Sequence, residues 1–369
     1  MQIVACDHSA VWNRYVFSHP FGGPFHLFGW KEIIETVYRL TTFYLMAVDR
    51  PVDCFSTPDA DHHRIRGILA LAMIHSPGNR RRLVSLPYVD VAGGLADDPA
   101  SEARLLEEAI RIAGTGKARW IELRQPIPLK CLAPENVARA AESEFNLKRL
   151  IRHWQVSSHK NGLQRPLPED AQQLLHAFKS KLRSQIKKAF KNGLTHEVGG
   201  AELLPAFYHV FSRNMRDLGS PVHPYRLFQA VFDTFGEGAR VALVRRGSDP
   251  AAAAIVLRYG NRLHNPWASA VKDFRSLGTN MLLYWAMLAH ACDRGLTIFD
   301  FGRSSPGAGT FNFKRQWEAR PTPLYWYYLT LSGDPVDPLA ESLSFAAWKR
   351  LPVWLSRLVC PHVRRHISL

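Results

Sequence analysis

Cysteine is scarce and poorly spaced for any framework. Cys6, Cys54, Cys131, Cys292 and Cys360 are scattered through 369 residues, odd in number and never at CxxC spacing. A disulfide scaffold and a zinc ribbon are excluded, and a reducing compartment is expected. Long apolar runs are missing too: no stretch approaches the roughly 18 uninterrupted apolar residues of a spanning helix. The opening MQIVACDHSAVWNRYV has no basic region followed by an apolar run, so no signal peptide is expected and the chain reads as cytoplasmic. Four chemical signatures are also absent: GxSxG, GxGxxG, HExxH and the phosphate loop GxxxxGK followed by Ser or Thr. His62-His63 has no cysteine or carboxylate at ligand spacing, so no metal is expected.

Acidic charge is the remaining scarcity. Asp and Glu number 32 against 47 Lys and Arg, a formal net charge of +15, so anionic partners are favoured: nucleic acid, phosphorylated carriers or an acidic membrane face. Hydrophobic residues make up 46% against 21% charged, which marks an ordered globular chain. Its length suits two domains.

The pattern predicts an α/β protein. WNRYVFSHPFGGPFHLFGWKEIIETVY reads as helix, Pro/Gly turn and a second helix carrying Trp30, Ile33, Ile34 and Val37. TTFYLMAV (41–48), RIRGILALAMIH (64–75), the start of RRLVSLPYVDVAGG and WIELR are β-rich. SEARLLEEAIRIAG (101–114) is an amphipathic helix opened by Asp98 and Ser101 and closed by Gly114. The polar, turn-rich 155–170 reads as a linker or domain entry. A similar rhythm follows: helices at 168–192, 201–216 and 224–235, strands ARVALVRR, AAAAIVLRYG and RLHNPWASA, helix 278–294, strand LTIFDFG, a loop and strand PLYWYYL. The shared order suggests a duplicated unit, with domains at 1–155 and 156–335 and a basic tail at 336–369. No residue-level repeat accompanies it.

Candidate functional residues concentrate in the second half. In SKLRSQIKKAFKNG, Arg183, Lys187 and Lys191 share a helix face, with Lys188 beside them and Leu182, Ile186, Ala189 and Phe190 on the core side. Like charges at that spacing repel, and an anion bridging them would relieve the cost; a solvated basic face is the plainer alternative. Asn214, Arg216, Asp217 and the His223-Pro224-Tyr225 turn crowd a helix junction, where helix punctuation also accounts for them. Trp267 and Ser269 leave a strand. Gly278, Thr279 and Asn280 start a helix whose free N–H groups favour an anion, unless Thr279 or Asn280 simply caps it. FDFGRSSPGAGTFNFKRQW (299–317) delivers Asp300, Arg303, Ser304, Gly307 and Gly309 toward Lys314, flanked by Phe313 and Trp317. Asp300 and Arg303 could form a structural ion pair. A lysine partly desolvated by aromatics is a stronger electrostatic stabiliser of an oxyanion. The tail could lie on an anionic membrane through Trp348, Leu351, Trp354 and Leu355, or pack back on the second domain.

These motifs, together with SHPFGGPFHLFGW, RLVSLPYVDVAGGLA and WIELR, resemble the FemAB-related proteins of PEP-CTERM/exosortase systems from about residue 10 to residue 330. The resemblance implies two tandem GNAT-like (acyl-CoA N-acyltransferase) domains with mixed sheets flanked by helices. It implies an acyl- or aminoacyl-transferase using acyl-CoA or aminoacyl-tRNA as co-substrate, with no tightly bound cofactor. The acceptor it implies is an amine on an exopolysaccharide or cell-envelope precursor. Lys314 looks like the family lysine near the reacting carbonyl, with Asp300 or Asp217 as base or amine-orienting group. The donor- and substrate-binding set is then Arg183, Lys187, Lys188, Asn214, Trp267, Ser269, Asn280, Arg303, Ser304, Gly307, Gly309, Phe313 and Trp317. No extended coiled-coil arm, used by some Fem enzymes for tRNA, is visible. The alternative from another class is a catalytically idle scaffold that binds an anionic polymer or lipid-linked carrier.

Overall fold

The computed structural model describes residues 1–49, 65–76, 80–134, 136, 153–331 and 346–368. The His62-His63 pair and Cys54 lie outside them. Two compact units divide the chain: Met1–Lys160 with Pro323–Ser342 and Arg365–Leu369, and Asn161–Thr322 with Leu343–Arg364.

The first unit contains β1 (Gln2–Ala5), α1 (Ser9–Ser18), α2 (Trp30–Tyr38), β2 (Thr41–Val48), β3 (Ile65–Ser76), β4 (Arg80–Val84), the short β5 (Leu95–Ala96), α3 (Pro99–Thr115) and β6 (Trp120–Gln125). Asp98 starts α3 by accepting the Ser101 N–H at 2.8 Å, with Pro99 in the first turn. Gly114 lies inside that helix, one residue short of its end at Thr115. The apolar stripe Leu105, Leu106, Ala109, Ile110 and Ala113 packs α3 onto Leu69, Leu71, Leu83 and Ile121 of the sheet.

The second unit takes up the chain within β7 (His153–Pro166). It continues with α4 (Ala171–Ala177), α5 (Ser180–Lys191), β8 (Leu194–Gly199), α6 (Leu204–Leu218), α7 (Tyr225–Phe235), β9 (Ala239–Arg246), β10 (Asp249–Tyr259) and β11 (Arg262–Ala270). Then come α8 (Thr279–Asp293), β12 (Ile298–Ser304), α9 (Gly309–Arg315), β13 (Arg320–Thr330), which carries the chain back to the first unit, and α10 (Val353–Arg364). Two expectations are corrected here. The stretch read as a linker or domain entry lies mostly in the 14-residue strand β7, and the two units divide within that strand, between Lys160 and Asn161. Half of its residues are exposed, Trp154 and Val156 included, so no apolar alternation announces it and backbone pairing holds it. The helix expected over 168–192 is two helices, parted where Phe178 and Lys179 turn extended.

Each unit has the same sheet order. In the first, β1-β2-β3-β4-β6-β13 pair antiparallel except for a parallel β4–β6 step. In the second, β8-β9-β10-β11-β12-β7 pair antiparallel except for a parallel β11–β12 step. A parallel step needs a crossover, and a helix supplies it each time: α3 between β4 and β6, α8 between β11 and β12. The expected duplication is therefore visible in strand order and direction. Helix α8 is apolar nearly all round because it is buried between the sheet and its neighbours, with Leu282, Leu283, Met287 and Leu288 fully inside.

Candidate active site

The parallel step of unit 2 opens after three residues. Arg262 pairs with Ile298, Leu263 with Phe299 and His264 with Asp300, and no further register joins the strands among the described residues, although β11 runs on to Ala270 and β12 to Ser304. Both strands leave regular pairing at this level. On β11, His264 faces Leu257 and Trp267 faces Ile255, so Asn265 and Pro266 form a bulge opposite Val256. On β12 the register to β7 breaks between Asp300 and Arg303.

Unit 1 has the same step, with Arg82, Leu83 and Val84 against Trp120, Ile121 and Glu122, but its own chain fills the opening. Ser85 donates its N–H to the Glu122 carbonyl at 2.8 Å and Ala92 donates to the Arg124 carbonyl at 3.2 Å. Tyr88 donates to the Ser368 carbonyl at 2.8 Å. The candidate chemistry therefore lies in unit 2.

Asp300 alternates with the core residues Phe299 and Phe301, and His264 follows core Leu263, so both side chains lie on the sheet face away from α8. The carboxylate accepts from Gln164 Nε2 at 2.8 Å and from the Gly302 N–H at 2.7 Å, and stands 3.5 Å from His264 Nδ1. Burial pushes its pKa up, but hydrogen bonding and the His264 charge, with Gln164 and Gly302, more than offset this and hold the carboxyl below its usual 3.8. A carboxylate so held is a weak base and a good orienting group. The stabilisation it contributes is complete above the ordinary carboxyl value and lost as pH falls through the lower folded-state value. Acid unfolding followed by circular dichroism is expected to show the midpoint of Asp300→Asn displaced from wild type, the two curves converging below that folded-state value. His264 and Gln164 were not visible in the sequence, because only the β7–β12–β11 register brings them to Asp300.

Farther along β11, Trp267 packs edge-on to Phe228 of α7, with centroids 5.4 Å apart. Ser269 Oγ accepts from Asn214 Nδ2 at 3.2 Å, and Asn214 Oδ1 accepts from Arg275 at 3.1 Å. The expected Asn214, Trp267 and Ser269 are thus brought together, with Arg275 as an addition. Arg275 also supplies the carbonyl that takes the Gly278 N–H, closing the turn into α8.

Gly278 sits at φ 88°, where a side chain is strained, and a Cβ there would come within 3.3 Å of Ala189 on the basic helix α5. Asn192 Nδ2 donates to the Leu277 carbonyl at 2.9 Å. The basic helix is therefore docked against the N-terminus of α8, where helix N–H groups point outward. Thr279 Oγ1 is fully buried there with no hydrogen-bond partner among the described residues, and Asn280 is exposed. On α5, Leu182, Ile186 and Ala189 face the core while Lys187 and Lys188 face solvent. Arg183 donates to the His176 carbonyl at 3.0 Å. Phe190 departs from its expected core place: it is 44% exposed, edge-on to His196, because residue 190 falls outside the 182–186–189 stripe.

Lys314 lies on α9, a short helix where a flexible loop was expected, and is buried. Its Nζ donates to the Arg303 carbonyl at the end of β12 at 2.8 Å. Phe313 and Trp317 pack on Tyr284 of α8, and Gln316 Nε2 reaches Met281 Sδ at 3.7 Å. So α9 and α5 meet the same half of α8. Gly307 (φ 80°) and Gly309 have open space over their Cα atoms, and Ser304 Oγ bonds Thr310 at 3.4 Å. Trp317, expected to face a ligand, is fully buried against Phe178 and Tyr284 and belongs to the core. Asp217 is ion-paired with Arg216 at 2.7 Å at the end of α6, where Arg216 also holds the Leu351 carbonyl. Its surroundings are those of the tail. Pro224 caps α7, as helix punctuation would have it, and His223 is buried beside Arg364.

Of the tail, the described residues up to Arg364 pack on unit 2, while Arg365–Leu369 belongs to unit 1. Arg357 donates to Ser212 Oγ at 2.9 Å and lies over the Tyr208 ring, while Ser356 and Cys360 are buried. No described helix is long and apolar enough to cross a membrane.

Residues 176–315 match the family model described as an acetyltransferase (GNAT) domain. That span lies inside unit 2, from the end of α4 to the last residue of α9. The crystal structure of FemX is similar over 89% of this chain and 97% of its own, at 16% identity and a TM-score of 0.64. A tandem GNAT protein from the clavulanic acid biosynthesis pathway is similar over 91% and 99%, at 12% identity and a TM-score of 0.50. The fold is that of tandem GNAT proteins. A conserved protein of unknown function from Bacteroides thetaiotaomicron VPI-5482 shares it over 90% and 100%, at 10% identity and a TM-score of 0.51. Comparison with curated proteins by sequence returns no match. The GNAT match thus covers every element of unit 2 that carries α5, the β11–β12 opening and Lys314.

Proposed function

We propose that unit 2 transfers an acyl group from an activated, polyanionic donor to an amine. The observation that carries this reading is the opening between β11 and β12, set between the His264–Asp300 pair, the Lys314 ammonium and the α8 N-terminus with its docked basic helix. Acyl-CoA and aminoacyl-tRNA both present an acyl carbonyl beside a string of phosphates. The phosphates suit the α8 N–H groups, Lys187 and Lys188. The carbonyl suits the strand gap.

The acceptor amine nitrogen attacks the carbonyl carbon, and the C=O pair moves onto oxygen. Lys314 stabilises that oxyanion; one of its three N–H groups is fixed by the Arg303 carbonyl, which sets the ammonium in place. His264, oriented by Asp300, takes the proton lost by the nitrogen. The C–S or C–O bond to the donor then breaks as the oxyanion collapses to the amide, and the leaving thiolate or alkoxide takes from His264 the proton that the nitrogen lost. Asn214, Ser269 and Trp267 line the acceptor side. Positioning supplies much of the rate in such a reaction. The Fem-like motifs support an amine on a cell-envelope or polysaccharide precursor as acceptor.

Reversing both exposed lysines (Lys187→Glu with Lys188→Glu) tests the donor site. Donor binding, read by thermal shift against acyl-CoAs and aminoacyl-tRNA, is expected to fall at least tenfold, with the dependence on salt flattening. The unliganded melt should stay within about 0.5 kcal/mol of wild type, because neither side chain is buried. Unchanged affinity for every donor would remove α5 from the site. Tight binding with no covalent product from any donor would leave the idle scaffold.

A further inference from the structure

We propose that the outward face of α10 docks unit 2 onto an anionic phospholipid surface. Helix α10 has two unlike sides. The inner side is spoken for: Ser356 and Cys360 are buried, Arg357 holds Ser212 and Tyr208, and Arg364 reaches His223. The outer side presents Trp354 at 67% exposure and Leu358 at 63%, one turn apart, with Val359 beside them. Burying such side chains is favourable, and a folded chain seldom leaves two of them open on one helix face without a partner. This is not the set the sequence suggested: Leu351 and Leu355 are half-buried, and Leu358 takes their place beside Trp354.

Charge decides which partner fits. Between 346 and 364 the chain has no Asp or Glu, and with Arg357 and Arg364 engaged on the inner side, Lys349 and Arg350 are the cations available to the outer one. Lys349 and Arg350 are exposed in the turn that precedes α10. An apolar stripe bearing a tryptophan, flanked by cations and free of acids, matches the boundary of an anionic bilayer, where the indole lies at headgroup depth and lysine and arginine meet lipid phosphates. This surface stands on different residues from the acyl-transfer reading and does not depend on it.

The test is co-sedimentation of the full chain with vesicles of phosphatidylcholine alone and of phosphatidylcholine mixed with phosphatidylglycerol. Wild type is expected to bind the mixed vesicles and to bind phosphatidylcholine weakly. Trp354→Ser with Leu358→Ser should lower partitioning about tenfold or more at an unchanged melting midpoint, since both side chains are already in solvent. Lys349→Glu with Arg350→Glu should abolish the preference for phosphatidylglycerol. Light scattering without lipid is run alongside. Absence of wild-type binding, or equal binding by the serine variant, overturns the proposal. So does an oligomer that the serine variant dissociates, which would assign the face to a second copy of the chain. Donor binding to the serine variant is expected to match wild type, so failure here is distinguishable from failure of the transfer reading.

Discussion

Replacing Lys314 by methionine is expected to lower the rate of acyl transfer about 10²–10³-fold, the loss typical of removing one donor to a developing oxyanion. Methionine keeps most of the buried stem and removes the charge. The substitution also removes the Lys314 hydrogen bond to the Arg303 carbonyl, a cost to stability of about 1–3 kcal/mol. The two effects are separable. If Lys314 meets charge that exists only during transfer, kcat falls while donor affinity holds. If it is only a brace for the β12 end, affinity and melting temperature fall together and kcat for the folded fraction is retained. A melt lowered by a few degrees with donor affinity intact is the expected pattern.

The largest effect on stability is expected in the other unit. Arg124 is fully buried, donates through Nε and Nη2 to Glu122, donates through Nη1 to the Val89 carbonyl at 2.7 Å, and reaches the Ser368 carbonyl at 3.1 Å. It also lies over the Trp326 ring at 5.1 Å. Ser368 Oγ in turn donates to Glu122 at 3.2 Å. Arg124→Met strips a buried carboxylate of its counter-charge and removes the Arg124 hydrogen bonds to the Val89 and Ser368 carbonyls, the latter keeping the Tyr88 N–H, which should cost about 3–5 kcal/mol. Removing both charges, Arg124→Met with Glu122→Gln, should recover part of that loss, because the uncompensated carboxylate is the main cost. Calorimetry of the two variants checks this. A single variant that melts with wild type would mean that the filled opening of unit 1 contributes little to its fold.

That contrast bears on what was legible in the sequence. Strands whose side chains alternate or form apolar runs were readable nearly to the residue: β2, β9 and β11 have the expected limits. The amphipathic stripe of α5 also showed, except at Phe190, where an apolar residue stands off the stripe. Strand β7 did not show, because its order comes from neighbours distant in the chain and not from its own burial pattern. The same holds for the site. Asp300 stood out as an acid on an apolar strand, Lys314 as a lysine flanked by aromatics and Asn214 as one of several polar groups at a helix junction. His264, Gln164 and Arg275 were not, since each gains its role from a register or a turn: β11 beside β12, β7 beside β12, and the approach to Gly278. Trp317 erred in the opposite direction. An aromatic next to a candidate site lysine looks like a ligand wall, but one turn past Lys314 it points into the core.

Hydrogen–deuterium exchange of the intact chain, with an acyl-CoA and with aminoacylated tRNA in separate samples, tests the central claim most directly. A donor held between the β11–β12 opening and the α8 N-terminus should slow exchange over 264–282 and 301–316 with one of the two, leaving Trp120–Gln125 of the filled unit 1 step unchanged. Protection confined to that unit 1 strand, or none over the unit 2 opening with either donor, would contradict the account.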